Sequence, residues 1–91
     1  MLQTISITVS GKVQGVFYRQ STKEKALELG LTGEVRNLSN GNVQIIATGT
    51  SEQLNALAAW CKKGPPRAVV TGVEVAELDV ISFDRFSIVR F

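Results

Sequence analysis

Ile5, Ile7 and Val9 alternate with Thr4, Ser6, Thr8 and Ser10, and this two-residue period with its β-branched content predicts a half-buried strand that ends at Gly11. Tyr18, Thr22, Ala26 and Leu29 then recur at helical spacing, which predicts a helix over about 18–29 with Gly30 in the C′ position. A second strand follows over 31–37, with Leu31, Gly33, Val35 and Asn37 on one side and Thr32, Glu34 and Arg36 on the other. Leu38-Ser39-Asn40-Gly41 is a turn, since Asn-Gly between two strands is a strong hairpin signal. The third strand, over about 42–48, presents Val43, Ile45 and Ala47 on one face. Thr50 and Gln53 can form a capping box, and Leu54, Leu57, Ala58 and Cys61 mark the buried face of a second helix that Gly64-Pro65-Pro66 stops. A fourth strand over about 69–78 and a short edge strand within 85–91 complete the pattern.

The order β-α-β-β-α-β predicts an α+β fold of the ferredoxin-like kind: an antiparallel sheet of four main strands, a short C-terminal edge strand, and two helices on one face. In a split β-α-β unit the first two strands run parallel with the third between them. The segment after strand one and the end of strand two therefore meet at one end of the sheet. The loop 11–19 and Asn37 should be neighbours in space.

A chain of 91 residues suits one domain, here taken as 1–91, and no internal repeat, linker or low-complexity segment divides it. Hydrophobic residues make up 44% and charged residues 20%, the balance of an ordinary globular protein. The net charge of +2 is too small to argue for nucleic acid binding, yet it suits an anionic small substrate. A lone cysteine, Cys61, forms no internal disulfide, and with no signal peptide the expected location is cytoplasmic. The absence of histidine excludes Ser-His-Asp and Cys-His catalysis and histidine-based zinc sites. No apolar run approaches the roughly 20 residues of a membrane span. A monomer is the expected state.

The segment Gly11-Lys12-Val13-Gln14-Gly15-Val16-Phe17-Tyr18-Arg19 has the chemistry of an anion cradle. Gly11 and Gly15 open backbone conformations closed to other residues, so successive N–H groups can converge on an anion. The loop runs into a helix whose free N–H groups and dipole also favour negative charge. Arg19, in the first turn, can offer its planar fork to two phosphate oxygens. Taken alone, the same residues also fit a tight strand-to-helix turn with a solvated arginine, and Asn37 before a turn has a purely backbone explanation.

Those nine residues resemble the first signature of the acylphosphatase family. Gly33-Glu34-Val35-Arg36-Asn37, followed by Gly41, Val43 and Gly49, is similar to the second. Trp60-Cys61-Lys62-Lys63-Gly64-Pro65-Pro66-Arg67-Ala68 resembles the family's exit from the second helix, and Phe86-Ser87-Ile88-Val89-Arg90-Phe91 its closing strand. The resemblance implies a ferredoxin-like fold that hydrolyses carboxyl–phosphate anhydrides without a cofactor or metal. By the same resemblance Arg19 is the phosphate-binding catalytic arginine, Asn37 orients the attacking water, and the backbone of Gln14, Gly15, Val16, Phe17, Tyr18 and Arg19 cradles the phosphate. The chain departs from the family's usual pattern at three positions. Glu34 replaces an aromatic residue and sets an acid near an anion site, Asn40 stands where Asp is frequent, and Tyr18 replaces a commoner Phe and brings a hydroxyl that needs a partner.

Other residues read as structural. Lys12 and Arg36 are taken as surface cations, Gly41 as the turn residue, Cys61 as a buried inert thiol, and Trp60 as partly buried packing. Phe83, Phe86, Ile88 and Phe91 are assigned to core or edge packing. An RNA-binding module of this fold would carry aromatic residues on its central strands, and strands one and three have none. A ligand-sensing domain of a larger enzyme would show linkers. The alternative that remains is a degenerate, non-catalytic module that binds phosphate or another anion.

Overall fold

The computed structural model describes residues 1–90; the packing role assigned to Phe91 lies outside them. Strand β1 covers Gln3–Lys12, helix α1 Tyr18–Leu29, β2 Thr32–Asn37, β3 Val43–Gly49, α2 Ser51–Cys61, β4 Val69–Leu78 and β5 Phe86–Val89. The sheet order is β4-β1-β3-β2-β5. Pairs β1–β3, β1–β4 and β2–β3 are antiparallel, whereas β5 runs parallel to β2. This is the ferredoxin-like arrangement, with β3 between the parallel β1 and β2 as the sequence requires.

The periodicities become burial. Ile7 and Val9 of β1, Val35 of β2, and Val43, Ile45 and Ala47 of β3 are fully enclosed. Tyr18, Thr22 and Ala26 of α1 and Leu54, Leu57 and Cys61 of α2 are buried with them. Ile5, Leu29 and Ala58, expected on the same faces, are partly buried at its margin. Each large apolar side chain withdrawn from water in this way contributes about 1.5–3 kcal/mol.

The helix ends follow local chemistry. Gly30 caps α1 with a left-handed residue, and the Leu31 N–H donates to the Ala26 carbonyl at 2.9 Å, so Leu31 belongs to the helix exit and β2 starts one residue later than the pattern predicts. The capping box of α2 is formed in both directions: the Gln53 N–H donates to Thr50 Oγ1 at 3.3 Å, and the Thr50 N–H donates to Gln53 Oε1 at 2.8 Å. Strand β1 continues past Gly11 to Lys12 through a register shift between Ser10 and Gly11. There Gly11 lies against β4 so closely that a Cβ would collide with the Val69 carbonyl.

Thr4 and Thr48, both on the polar side of their strands by alternation, are nevertheless buried. The segment after β4 accounts for this. Thr48 Oγ1 donates to the Ile81 carbonyl at 2.7 Å, and the Ile81 N–H donates to Thr4 Oγ1 at 2.9 Å. The two hydroxyls lie 2.6 Å apart, and since Thr48 spends its proton on Ile81, Thr4 donates to Thr48. Every polar atom of this knot is satisfied, which is what makes its burial tolerable.

Candidate active site

The segment between β1 and α1 is held from both sides. Val13 and Val16 send their side chains into the core, which pins the loop from below. Gln14 turns the other way and donates its side-chain amide to the carbonyls of Leu38, at 2.8 Å, and Asn42, at 2.9 Å. That amide ties the loop to the β2–β3 turn. Gly15 between them has φ 74°, a conformation that needs glycine. Phe17 follows with φ 61° and ψ 25° and serves as the N-cap of α1 without any side-chain cap hydrogen bond. The N–H groups of the first helical turn are thus left uncapped by the protein's side chains.

These features frame a cavity of about 400 Å³ whose wall includes Gly15, Phe17, Tyr18, Arg19, Gln20, Asn37 and Arg90. A second hollow of about 300 Å³ adjoins the same residues, lined by Arg19, Asn37, Val89 and Arg90. Arg19 and Asn37, distant in sequence, therefore share both. Asn37 Oδ1 is buried and has no hydrogen-bond partner among the described residues. No carboxylate among the described residues pairs with Arg19. An unengaged carbonyl oxygen beside an unengaged guanidinium is an arrangement prepared for a ligand that presents an anion to one and a donor to the other. Of the six residues expected to form the phosphate cradle, Gly15, Phe17, Tyr18 and Arg19 line the cavity; Gln14 and Val16 shape the loop from outside it.

The departures from the usual signature find their places. Glu34 stands on the sheet face opposite Asn37, as regular alternation demands, and pairs with the Arg36 guanidinium two residues on. Its charge is compensated locally, so the acid does not face the anion site. The Tyr18 hydroxyl donates to the Cys61 carbonyl at 2.8 Å, and its ring stands 5.6 Å from that of Trp60 at an angle of 50°. Burial, followed by the proximity of Cys61, drives the Tyr18 phenol far above its ordinary range. Cys61 is fully enclosed, and burial pushes its thiol up to about 12 against a small opposing effect of the Tyr18 hydrogen bond. A thiol so raised is not a nucleophile. Lys12 is exposed and lines neither hollow.

Arg90 lines both hollows and was not among the candidates that the sequence offered, where it stood only within the segment resembling a closing strand. Its position follows from the parallel pairing of β5 with β2, in which Val35 stands beside Ile88 and Arg36 beside Val89. One residue beyond the last pair on each strand, Asn37 and Arg90 line the same two hollows. The signal was topological: only the direction of β5 reveals which end of the sheet its last cation reaches.

Among the described residues no cluster of His, Cys, Asp and Glu could hold a metal ion, and no helix is long and apolar enough to cross a membrane. A model of the acylphosphatase family matches residues 5–88. An acylphosphatase of Methylococcus capsulatus is 49% identical over 90 residues, covering 98% of each chain. One from Marinobacter nauticus is 61% identical over 72 residues, 79% of this chain and 78% of its own. The solved structure of an acylphosphatase from Coxiella burnetii superposes with a TM-score of 0.93 at 45% identity, covering 96% of this chain and 92% of that one. With that match along nearly its whole length, the chain belongs to the acylphosphatase family.

Proposed function

We propose that this protein hydrolyses acyl phosphates to a carboxylate and inorganic phosphate, with Arg19 holding the phosphoryl group and Asn37 orienting the attacking water. The family membership and the names of the relatives support the reaction. The observation that carries the assignment of roles is the buried, unpartnered Asn37 Oδ1 in the wall that Arg19 also lines. Nothing in the molecule favours the non-catalytic alternative, and the ion pair of Glu34 with Arg36 removes the feature that had given it weight.

The chemistry asks for little beyond these groups. The leaving group is a carboxylate of low basicity and departs without a general acid. Phosphoryl transfer is accelerated mainly by positioning and by neutralising charge on the equatorial oxygens. Arg19, the uncapped N–H groups at the start of α1 and the loop backbone provide that neutralisation. The water donates one hydrogen bond to Asn37 Oδ1, and its oxygen attacks phosphorus as the bond from phosphorus to the carboxylate oxygen breaks. Asn37 is no base, so the proton of the attacking water passes to a phosphate oxygen, and the dependence of rate on leaving-group basicity tests this step.

The deciding experiment follows hydrolysis of a chromogenic aromatic acyl phosphate in EDTA by the wild type, Arg19→Ala and Asn37→Ala. Metal-independent turnover that both folded variants lose supports the reading. A folded but inactive wild type overturns the enzymatic claim. We further take the protein to act as a cytoplasmic monomer, which light scattering and cell fractionation test.

A further inference from the structure

Phe17 carries two burdens at once. The residue is 74% exposed, and it is the sole exposed aromatic among the described residues. It is also the sole non-glycine residue among them with positive φ, at 61°. A left-handed conformation is unfavourable for a residue with a Cβ, and a bulky aromatic is a poor occupant where glycine or asparagine would sit unstrained. As an N-cap, phenylalanine supplies no hydrogen bond either, where Ser, Thr, Asp or Asn would. Packing, propensity and capping all argue against this residue here. Strain that the surrounding fold imposes without local benefit points to a role outside folding.

The two hollows say what that role is. The smaller is walled by Arg19, Asn37, Val89 and Arg90, two cations and an amide beside one aliphatic residue. The larger shares Arg19, Asn37 and Arg90 but adds the exposed Phe17. An acyl phosphate has the same division: a phosphoryl group at one end and a carbon chain or ring at the other. With the phosphoryl group at Arg19, Phe17 is the one exposed large apolar residue of that wall left to meet the acyl portion. Resting on the site reading above, we infer that Phe17 is a specificity-determining residue that receives the acyl group. It favours aromatic and other extended apolar acyl phosphates over acetyl phosphate.

The test is a ratio, so that any effect of residue 17 on the loop cancels. The kcat/KM for benzoyl phosphate is divided by that for acetyl phosphate in the wild type, Phe17→Gly and Phe17→Tyr. Glycine accepts the left-handed backbone and removes the ring without adding a capping acceptor. The ratio is expected to fall about three- to tenfold in Phe17→Gly, the size of one aromatic contact, and to be retained in Phe17→Tyr. A ratio unchanged in Phe17→Gly overturns the inference whatever happens to the absolute rates, and so does an equal fall in Phe17→Tyr, which would indicate loop geometry rather than the ring. A wild type that hydrolyses neither compound overturns the proposed function and this inference together; one that hydrolyses both with an insensitive ratio overturns this inference alone.

Discussion

Gln14 donates its side-chain amide to the carbonyl of Leu38, the residue directly after Asn37, and to that of Asn42 across the turn. Loop and turn are thereby fixed to each other by one side chain. Replacing Gln14 with Ala leaves two half-buried carbonyls without this donor, and about 1–2 kcal/mol of stability is expected to be lost. The loop and Asn37 should also drift relative to one another, so kcat should fall more than KM rises. Urea unfolding beside steady-state kinetics checks both; full stability and unchanged kcat would show that the staple is idle.

Asn37→Ala separates chemistry from folding. Because Oδ1 has no partner among the described residues, its removal orphans no donor, and the unfolding free energy should change by no more than about 0.5 kcal/mol. Activity should drop about a hundredfold through kcat, the loss associated with a misplaced reactant, while competitive inhibition by inorganic phosphate persists. A variant that is inactive because it is unfolded would contradict this assignment.

Arg19→Lys keeps the charge but not the fork. A point charge cannot reproduce two parallel hydrogen bonds to a phosphoryl group, so the conservative change should still reduce kcat/KM by about a hundredfold or more. Near-native activity in Arg19→Lys would mean that positive potential alone suffices.

Tyr18 and Cys61 make stability depend on alkali. Both groups hold their protons more tightly folded than unfolded: Cys61 is raised from 9.0 to about 12, and Tyr18 is raised from 10.0. Their contribution is complete below about pH 9 and declines as pH rises toward 12, because the unfolded chain releases protons first. Denaturation midpoints measured from pH 7 to 11 should fall above 9, with a shallower fall in Cys61→Ala than in the wild type. Parallel curves would show that the thiol does not titrate differently in the two states.

Much of this could be read from residue order. The alternation of Ile7 and Val9, the four-residue spacing of Tyr18, Thr22 and Ala26, and the pairing of Thr50 with Gln53 are local signals, and local signals survive folding when the tertiary structure agrees with them. The meeting of Arg19 with Asn37 needed only strand order. Arg90 was hidden because a four-residue strand gives no hint of its direction, and direction alone decides which end of the sheet it reaches. The burial of Thr4 and Thr48 was hidden for a related reason: their cover is supplied by Ile81, far along the chain. The left-handed Phe17 contradicts every short-range preference, and places where local rules fail in this way gather at functional sites.

The parallel attachment of β5 to β2 also bears on how the protein comes off the ribosome. Residues 32–37 are made early and pair on one side with β3 as soon as the hairpin closes, but their other side waits for residues 86–89. Throughout that interval the nascent chain displays an open row of backbone donors and acceptors ending at Asn37, the kind of template on which neighbouring chains assemble. Strand β5 is thus a seal as well as the lead-in to Arg90, and it covers the vulnerable flank in the same movement that completes the pocket.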